Sequence, residues 1–111
     1  MKKFLSLLLL ILTLLIHERS ISAEDINEFE MHMSIWNRKI TLASEYLKYA
    51  ETALKKGDKY LGCTNQKKAG KLGVEASESL IKAFELKSSS KSEIENFKSG
   101  LNKWKELRDF C

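Results

Sequence analysis

Residues 26–54 read INEFEMHMSIWNRKITLASEYLKYAETAL and decide the fold, because their apolar side chains recur at alternating steps of three and four residues. The repeating positions are Ile26, Phe29, Met33, Trp36, Ile40, Ala43, Leu47, Ala50 and Leu54. This spacing is the heptad seam of an amphipathic helix. Lys55, Lys56 and Gly57 follow it, as expected at a helix C-terminus. The pattern predicts one long helix over about residues 25–56.

A second set of apolar residues lies beside this seam on the same helix. Its members are Ile35, Leu42, Tyr46, Tyr49 and Ala53. Together with the seam, they form an apolar arc that is wider than one neighbouring helix can cover. We therefore expect this helix to touch at least two other helices, or a partner.

The sequence after Gly57 predicts a tight turn and a second helix. Gly57 tolerates a left-handed backbone conformation, and Asp58 is a good N-cap. Thr64 and Asn65 are alternative caps for the same helix. With Asp58 as the cap, the second helix covers about residues 58–87.

The first half of this second helix is made of unusually small residues. They are Gly62, Ala69, Gly70, Gly73, Ala76 and Ser77. Small side chains leave room for large ones on a neighbouring helix. We expect this face to receive Tyr46 and Tyr49 from the first helix.

A third helix is predicted after the serine run at residues 88–90. The segment from Ser90 to Glu95 contains two overlapping Ser-x-x-Glu capping boxes, and the apolar spacing of a helix follows, over about residues 92–110. Three amphipathic helices with short connections predict an all-α, three-helix up-down-up antiparallel bundle, forming a single domain over residues 24–111.

The N-terminal 23 residues resemble a targeting segment. Lys2 and Lys3 precede an apolar run of 13 residues, Phe4–Ile16, which is within the range of a signal peptide and shorter than a spanning helix. Small residues then lead to Ala23, the best cleavage site. We predict a signal peptide over residues 1–23 and export to the periplasm or the extracellular space. The alternative is an uncleaved leader that anchors the protein in a membrane.

Cleavage would remove much of the positive charge. The full chain of 111 residues has a net charge of +4, and loss of Lys2, Lys3, Arg19 and Glu18 lowers it to +2 for the remaining 88 residues. A nearly neutral exported domain is a poor candidate for binding nucleic acid. We expect no nucleic-acid partner.

The two cysteines predict an intramolecular disulfide. Cys63 lies near the start of the second helix and Cys111 at the end of the third, so an antiparallel arrangement brings them to the same end of the bundle. Export to an oxidising compartment favours such a bond.

Residue types that carry chemistry are few. After cleavage His32 is the sole histidine, and no pattern of nucleophile, base and orienting acid surrounds it. Met31 and His32 offer soft and imidazole ligands, so a metal or haem carrier is an alternative function. Neighbouring helix residues point about 100° apart, however, which disfavours convergence on one ion. We expect no enzymatic activity, no bound metal and no cofactor.

The strongest local charge lies between residues 55 and 71. Its lysines, here called the basic end, are Lys55, Lys56, Lys59, Lys67, Lys68 and Lys71. Asp58 is the one acidic residue among them, so this segment can bind an acidic protein or an anionic envelope component. The sequence thus favours a small exported binding module. Self-association into a homo-oligomer through the wide apolar arc is a further alternative.

Overall fold

The computed structural model describes residues 23–111 and shows three helices. They are α1 (Ala23–Lys55), α2 (Lys59–Leu86) and α3 (Lys91–Asp109). No strand occurs within residues 23–111, which confirms the all-α prediction. The predicted signal peptide lies, apart from Ala23, outside the described residues. None of the three helices is long and apolar enough to cross a membrane.

The turn between α1 and α2 follows the prediction made from Gly57 and Asp58. Gly57 has a φ of 81°, the left-handed conformation that glycine adopts without steric cost. The Asp58 carboxylate accepts a hydrogen bond of 3.0 Å from the backbone N–H of Leu61. Asp58 is therefore the N-cap, while Thr64 and Asn65 lie inside α2.

The serine run forms the second turn. Ser88 has a φ of 52°, and the Ser90 hydroxyl accepts a hydrogen bond of 3.2 Å from the backbone N–H of Glu93. The first of the two predicted capping positions thus starts α3.

Helix α2 lies in the centre of the molecule. It packs against both α1 and α3, whereas no Cα atom of α1 comes within 8 Å of a Cα atom of α3 in the described chain. Contacts between α1 and α2 join early residues of one helix to late residues of the other: the rings of Phe29 and Phe84 are 6.1 Å apart, and Lys68 Nζ lies 5.6 Å from the Tyr46 ring. Among residues 23–111, helix α1 therefore has one neighbouring helix, although its apolar arc is wide enough for two.

The core contains mainly small residues. Along α2, buried Gly62, Ala69, Ala76 and Ala83 recur every seven residues. In α1 the buried residues are Ala43, Ala50 and Ala53. Because α2 is the only described helix near α1, these alanines lie against α2, and their size permits close approach of the two backbones.

The expected role of the small face of α2 is wrong for Gly70 and Gly73. A Cβ atom on Gly70 would lie 2.5 Å from the backbone nitrogen of Arg108, and one on Gly73 would overlap the indole ring of Trp104. Helix α3 therefore packs against these glycines, and Tyr46 and Tyr49 of α1 do not. Periodicity identifies a small face but not which of two neighbours fills it.

Three phenylalanines connect the helices at the end opposite the basic end. The Phe84 ring of α2 lies 6.1 Å from that of Phe29 in α1 and 4.8 Å from that of Phe97 in α3. Lys87 places its ammonium 4.0 Å from the Phe29 ring centre, within cation–π range. This cluster supplies the large apolar side chains that the alanine-rich middle lacks.

Candidate functional site at the basic end

The basic end is spread over the α1–α2 turn and the first half of α2. Lys55 ends α1, Lys56 lies in the turn, and Lys59 begins α2. The remaining members follow within α2, and all six lysines are exposed. Lys67 and Lys71 are four residues apart and thus share one face of α2 with Tyr60.

Few of these lysines are neutralised by neighbours. Lys55 lies 3.3 Å from Glu51, but both side chains are more than 60% exposed, at 74% and 67%, so this ion pair contributes little. Lys68 lies beside the Tyr46 ring. Within residues 23–111, Lys56, Lys59 and Lys71 form no ion pair. Their charge is therefore available to an external anion.

Exposed apolar side chains accompany the lysines, a feature that sequence periodicity did not reveal. Tyr60 and Phe110 are 84% and 82% exposed, and Tyr49, Leu54 and Leu61 are about half exposed. Leu54 and Leu61 fit the helical pattern of core residues, but they lie at helix ends and stay about half exposed within the described part of the chain. Exposed aromatic rings among cations are typical of binding surfaces.

The two cysteines meet at this end. Cys63 and Cys111 form a disulfide with their Cα atoms 5.9 Å apart, inside the usual range. The bond holds the end of α3 against the first turns of α2. It thereby places Phe110, which precedes Cys111, close to the α2 segment that carries Tyr60 and Lys59.

An Arg–Asp pair lies next to the disulfide. Arg108 donates hydrogen bonds to both carboxylate oxygens of Asp109, at 2.8 and 3.0 Å. This hydrogen bonding lowers the pKa of Asp109, with a smaller contribution from Lys67, and raises the pKa of Arg108. Asp109 is thus neutralised by its neighbour and subtracts little from the positive field of the basic end.

A groove of about 690 Å³ lies between the end of α1 and the start of α2. Tyr49, Ala53, Lys56, Leu61 and Asn65 are among the residues that line it. Asp58 also lines the groove and offsets the charge of Lys56, so the groove itself offers mainly an aromatic ring and two aliphatic side chains to an apolar group of a ligand.

The proposed metal ligands do not converge. Met31 is 51% exposed, whereas His32 is half-buried beside Glu28, Lys82 and Glu85. The Nδ1 atom of His32 is buried without a hydrogen-bond partner. Across the described residues, no group of three or more His, Cys, Asp or Glu side chains is arranged to hold a metal.

One acidic residue of α2, Glu75, has a partner on another helix. Glu75 accepts a 2.5 Å hydrogen bond from Lys39 of α1, and both side chains are about one-third exposed, at 37% and 27%. Lys71 lies four residues before Glu75 in the same helix, but the ion pair of Glu75 is with Lys39 and joins two helices. An interhelical pair restrains how α1 and α2 slide past each other, which a pair within one helix cannot do.

Comparison of this chain with family models, curated proteins and solved structures finds no match.

Proposed function

We propose that this chain is a small exported, non-enzymatic helical protein that acts as a binding module in the periplasm or cell envelope. In this proposal residues 1–23 are a signal peptide, and the mature domain is an up-down-up antiparallel bundle. The Cys63–Cys111 pair supports the choice of an oxidising compartment. Contacts that join opposite ends of α1 and α2 support the antiparallel arrangement.

The observation that carries the proposal is the combination of free positive charge and exposed apolar surface at one end. The lysines of the basic end attract an anionic partner. Tyr60 and Phe110 supply exposed apolar surface, which is favourable to bury when the partner binds. The partner is an acidic protein or an anionic envelope component. Charge then sets the rate of encounter, and the apolar contacts slow dissociation.

Charge reversal tests this assignment. We expect the triple variant Lys59→Glu, Lys67→Glu, Lys68→Glu to lose partner capture from an envelope extract, while far-UV circular dichroism shows unchanged helix content. The loss follows because three positive charges are replaced by three negative ones, which lowers the net charge of this surface by six. Retained capture would contradict the assignment to the basic end.

The matched control is a triple reversal elsewhere on the molecule. Lys82, Lys91 and Lys98 are exposed, and none belongs to the basic end. Changing all three to glutamate alters the net charge by the same amount, so this variant should retain capture. Equal loss in both variants would show that overall charge, not this surface, governs binding.

A metal or haem carrier is the second candidate, and the observation in its favour is the unpartnered Nδ1 atom of His32. Purified protein should then contain stoichiometric metal or a visible absorption band, and the His32→Ala variant should lose it. Absence of both signals from the wild-type protein rejects this candidate.

A further inference from the structure

Helix α1 carries a stripe of uncovered apolar side chains along most of its length. We call it the α1 stripe; it consists of Met31, Ile35, Leu42, Tyr46 and Tyr49. Met31, Leu42 and Tyr49 are 51%, 38% and 56% exposed, and the other two are half-buried. From Met31 to Tyr49 the stripe extends about 27 Å along the helix.

Helix α2 reaches only the edge of this stripe, where Lys68 lies beside the Tyr46 ring, and no described helix covers Met31, Leu42 or Tyr49. Helix α2 lies against the alanine face of α1, and α3 does not approach α1. The tyrosines are held in place nonetheless, since the rings of Tyr46 and Tyr49 meet edge to face with centroids 6.0 Å apart. An exposed apolar surface of this length marks an interaction site.

The stripe is complementary to itself in the antiparallel orientation. Ile35, Leu42 and Tyr49 are spaced by seven residues, so Leu42 lies at the centre of the set. A second copy running in the opposite direction places Leu42 against Leu42 and Ile35 against Tyr49. Knobs from each helix then fill the spaces of the other.

One edge of the stripe carries opposite charges at positions along the helix that match when two copies are antiparallel. Arg38 and Glu45 are seven residues apart on one edge, and neither forms an ion pair within residues 23–111. In the antiparallel orientation, Arg38 of each copy lies beside Glu45 of the other. The same contact therefore forms twice, as an isologous interface requires.

We propose that the α1 stripe is a self-association site at which a second copy of this chain binds in an antiparallel orientation. This inference goes beyond the proposed function, because it concerns a second copy of this chain and not an anionic partner; the stripe meets the groove of the basic end at Tyr49. The dimer carries one basic end at each extremity, since the stripe runs away from that end toward Met31.

Sedimentation of the full chain over a range of concentrations tests the proposal. We expect the mass to rise from that of one chain, which is 12.8 kDa with residues 1–23 present, to twice that value. Leu42→Glu should raise the dissociation constant at least tenfold because it places two carboxylates against each other in an apolar contact. The control is Ile26→Glu: Ile26 is also on α1 and is similarly exposed, at 41% against 38%. It lies about 160° around the helix and should leave the mass unchanged.

A charge swap distinguishes self-association from other occupants of the stripe. Arg38→Glu alone and Glu45→Arg alone each create two like-charge contacts and should weaken the dimer. The double variant restores opposite charges across the interface and should restore the wild-type mass. Neither a different protein partner nor residues 1–22 on the stripe would produce this rescue. A wild-type protein of single-chain mass at all concentrations, or a double variant as weak as the single ones, would overturn the proposal.

Discussion

The contact between Gly73 of α2 and Trp104 of α3 allows a sharp test of how these helices pack. Gly73 is buried, and an added Cβ atom would lie 2.6 Å from Cε2 of the Trp104 indole and overlap other ring carbons. The ring is rigid, so the substitution Gly73→Ala requires α3 to move or the ring to rotate. Gly100 of α3 is the matched control, because a Cβ atom there meets nothing within 4 Å.

The expected free energies follow from two opposing effects. Alanine is more favourable than glycine inside a helix by about 1 kcal/mol, and this gain applies to both positions. Overpacking typically costs about 1–3 kcal/mol, and overlap with a ring places Gly73→Ala near the upper value. Gly73→Ala should therefore destabilise the protein by about 2 kcal/mol, whereas Gly100→Ala should stabilise it by about 1 kcal/mol.

Thermal unfolding followed by far-UV circular dichroism measures the difference. In a domain of this size, 1 kcal/mol shifts Tm by about 4–8 °C, so Gly73→Ala should lower Tm by about 8–16 °C and Gly100→Ala should raise it by about 4–8 °C. A Gly73→Ala variant as stable as Gly100→Ala would show that Trp104 does not occupy the surface of Gly73, and the packing of α3 described above would be wrong.

Three further predictions concern the Cys63–Cys111 disulfide, the Asp58 N-cap of α2 and the ion pair between Arg108 and Asp109. Replacing Cys63 and Cys111 by serine should lower the free energy of unfolding in urea by about 4 kcal/mol, because the bond spans 48 residues; equal urea midpoints for wild-type protein with and without reductant would contradict this. Asp58→Ala should cost about 1 kcal/mol in the same assay through loss of the α2 cap, and Asp58→Asn should cost little. The pKa of Asp109 is lowered in the folded state, so its contact with Arg108 is complete above about pH 4 and is lost as the pH falls through the lower folded value. The carboxyl carbon shift in an NMR titration should show this, and Arg108→Gln should return the midpoint to the usual range.

The local features of the fold were predictable from the sequence because each depends on neighbouring residues. The three-and-four spacing from Ile26 to Leu54 is sufficient to identify α1, and Asp58 and Ser90 cap the helices at the expected positions. Turn and cap chemistry acts over three or four residues, so it survives whatever the tertiary packing is.

The choice between neighbours was not predictable. The small residues of α2 form two faces, and spacing alone assigned Gly70 and Gly73 to the tyrosines of α1 when they receive α3. Likewise, Glu75 has lysines within reach on two helices and pairs with Lys39. These outcomes depend on interhelical angles and distances, which a heptad pattern does not specify.

The candidate site was predictable in its charge but not in its apolar part. The six lysines of the basic end stand out in the sequence, whereas Leu61 follows the spacing of a core residue and is nevertheless 47% exposed. Phe110 lies after the last helical turn, where periodicity carries no information, and it is fixed near the lysines by the neighbouring Cys111.

The separation of α1 from α3 has a consequence for how the molecule opens. Because the outer helices of residues 23–111 do not touch, the stability of this part of the chain is approximately the sum of two nearest-neighbour interfaces along α2, as in a short repeat array. Helix α3 has no fully buried residue, so it should detach first and exchange its amide hydrogens before α1 does. The disulfide holds Cys111, just after α3, against α2. Partial unfolding of α3 should therefore start at the serine turn and proceed toward the disulfide.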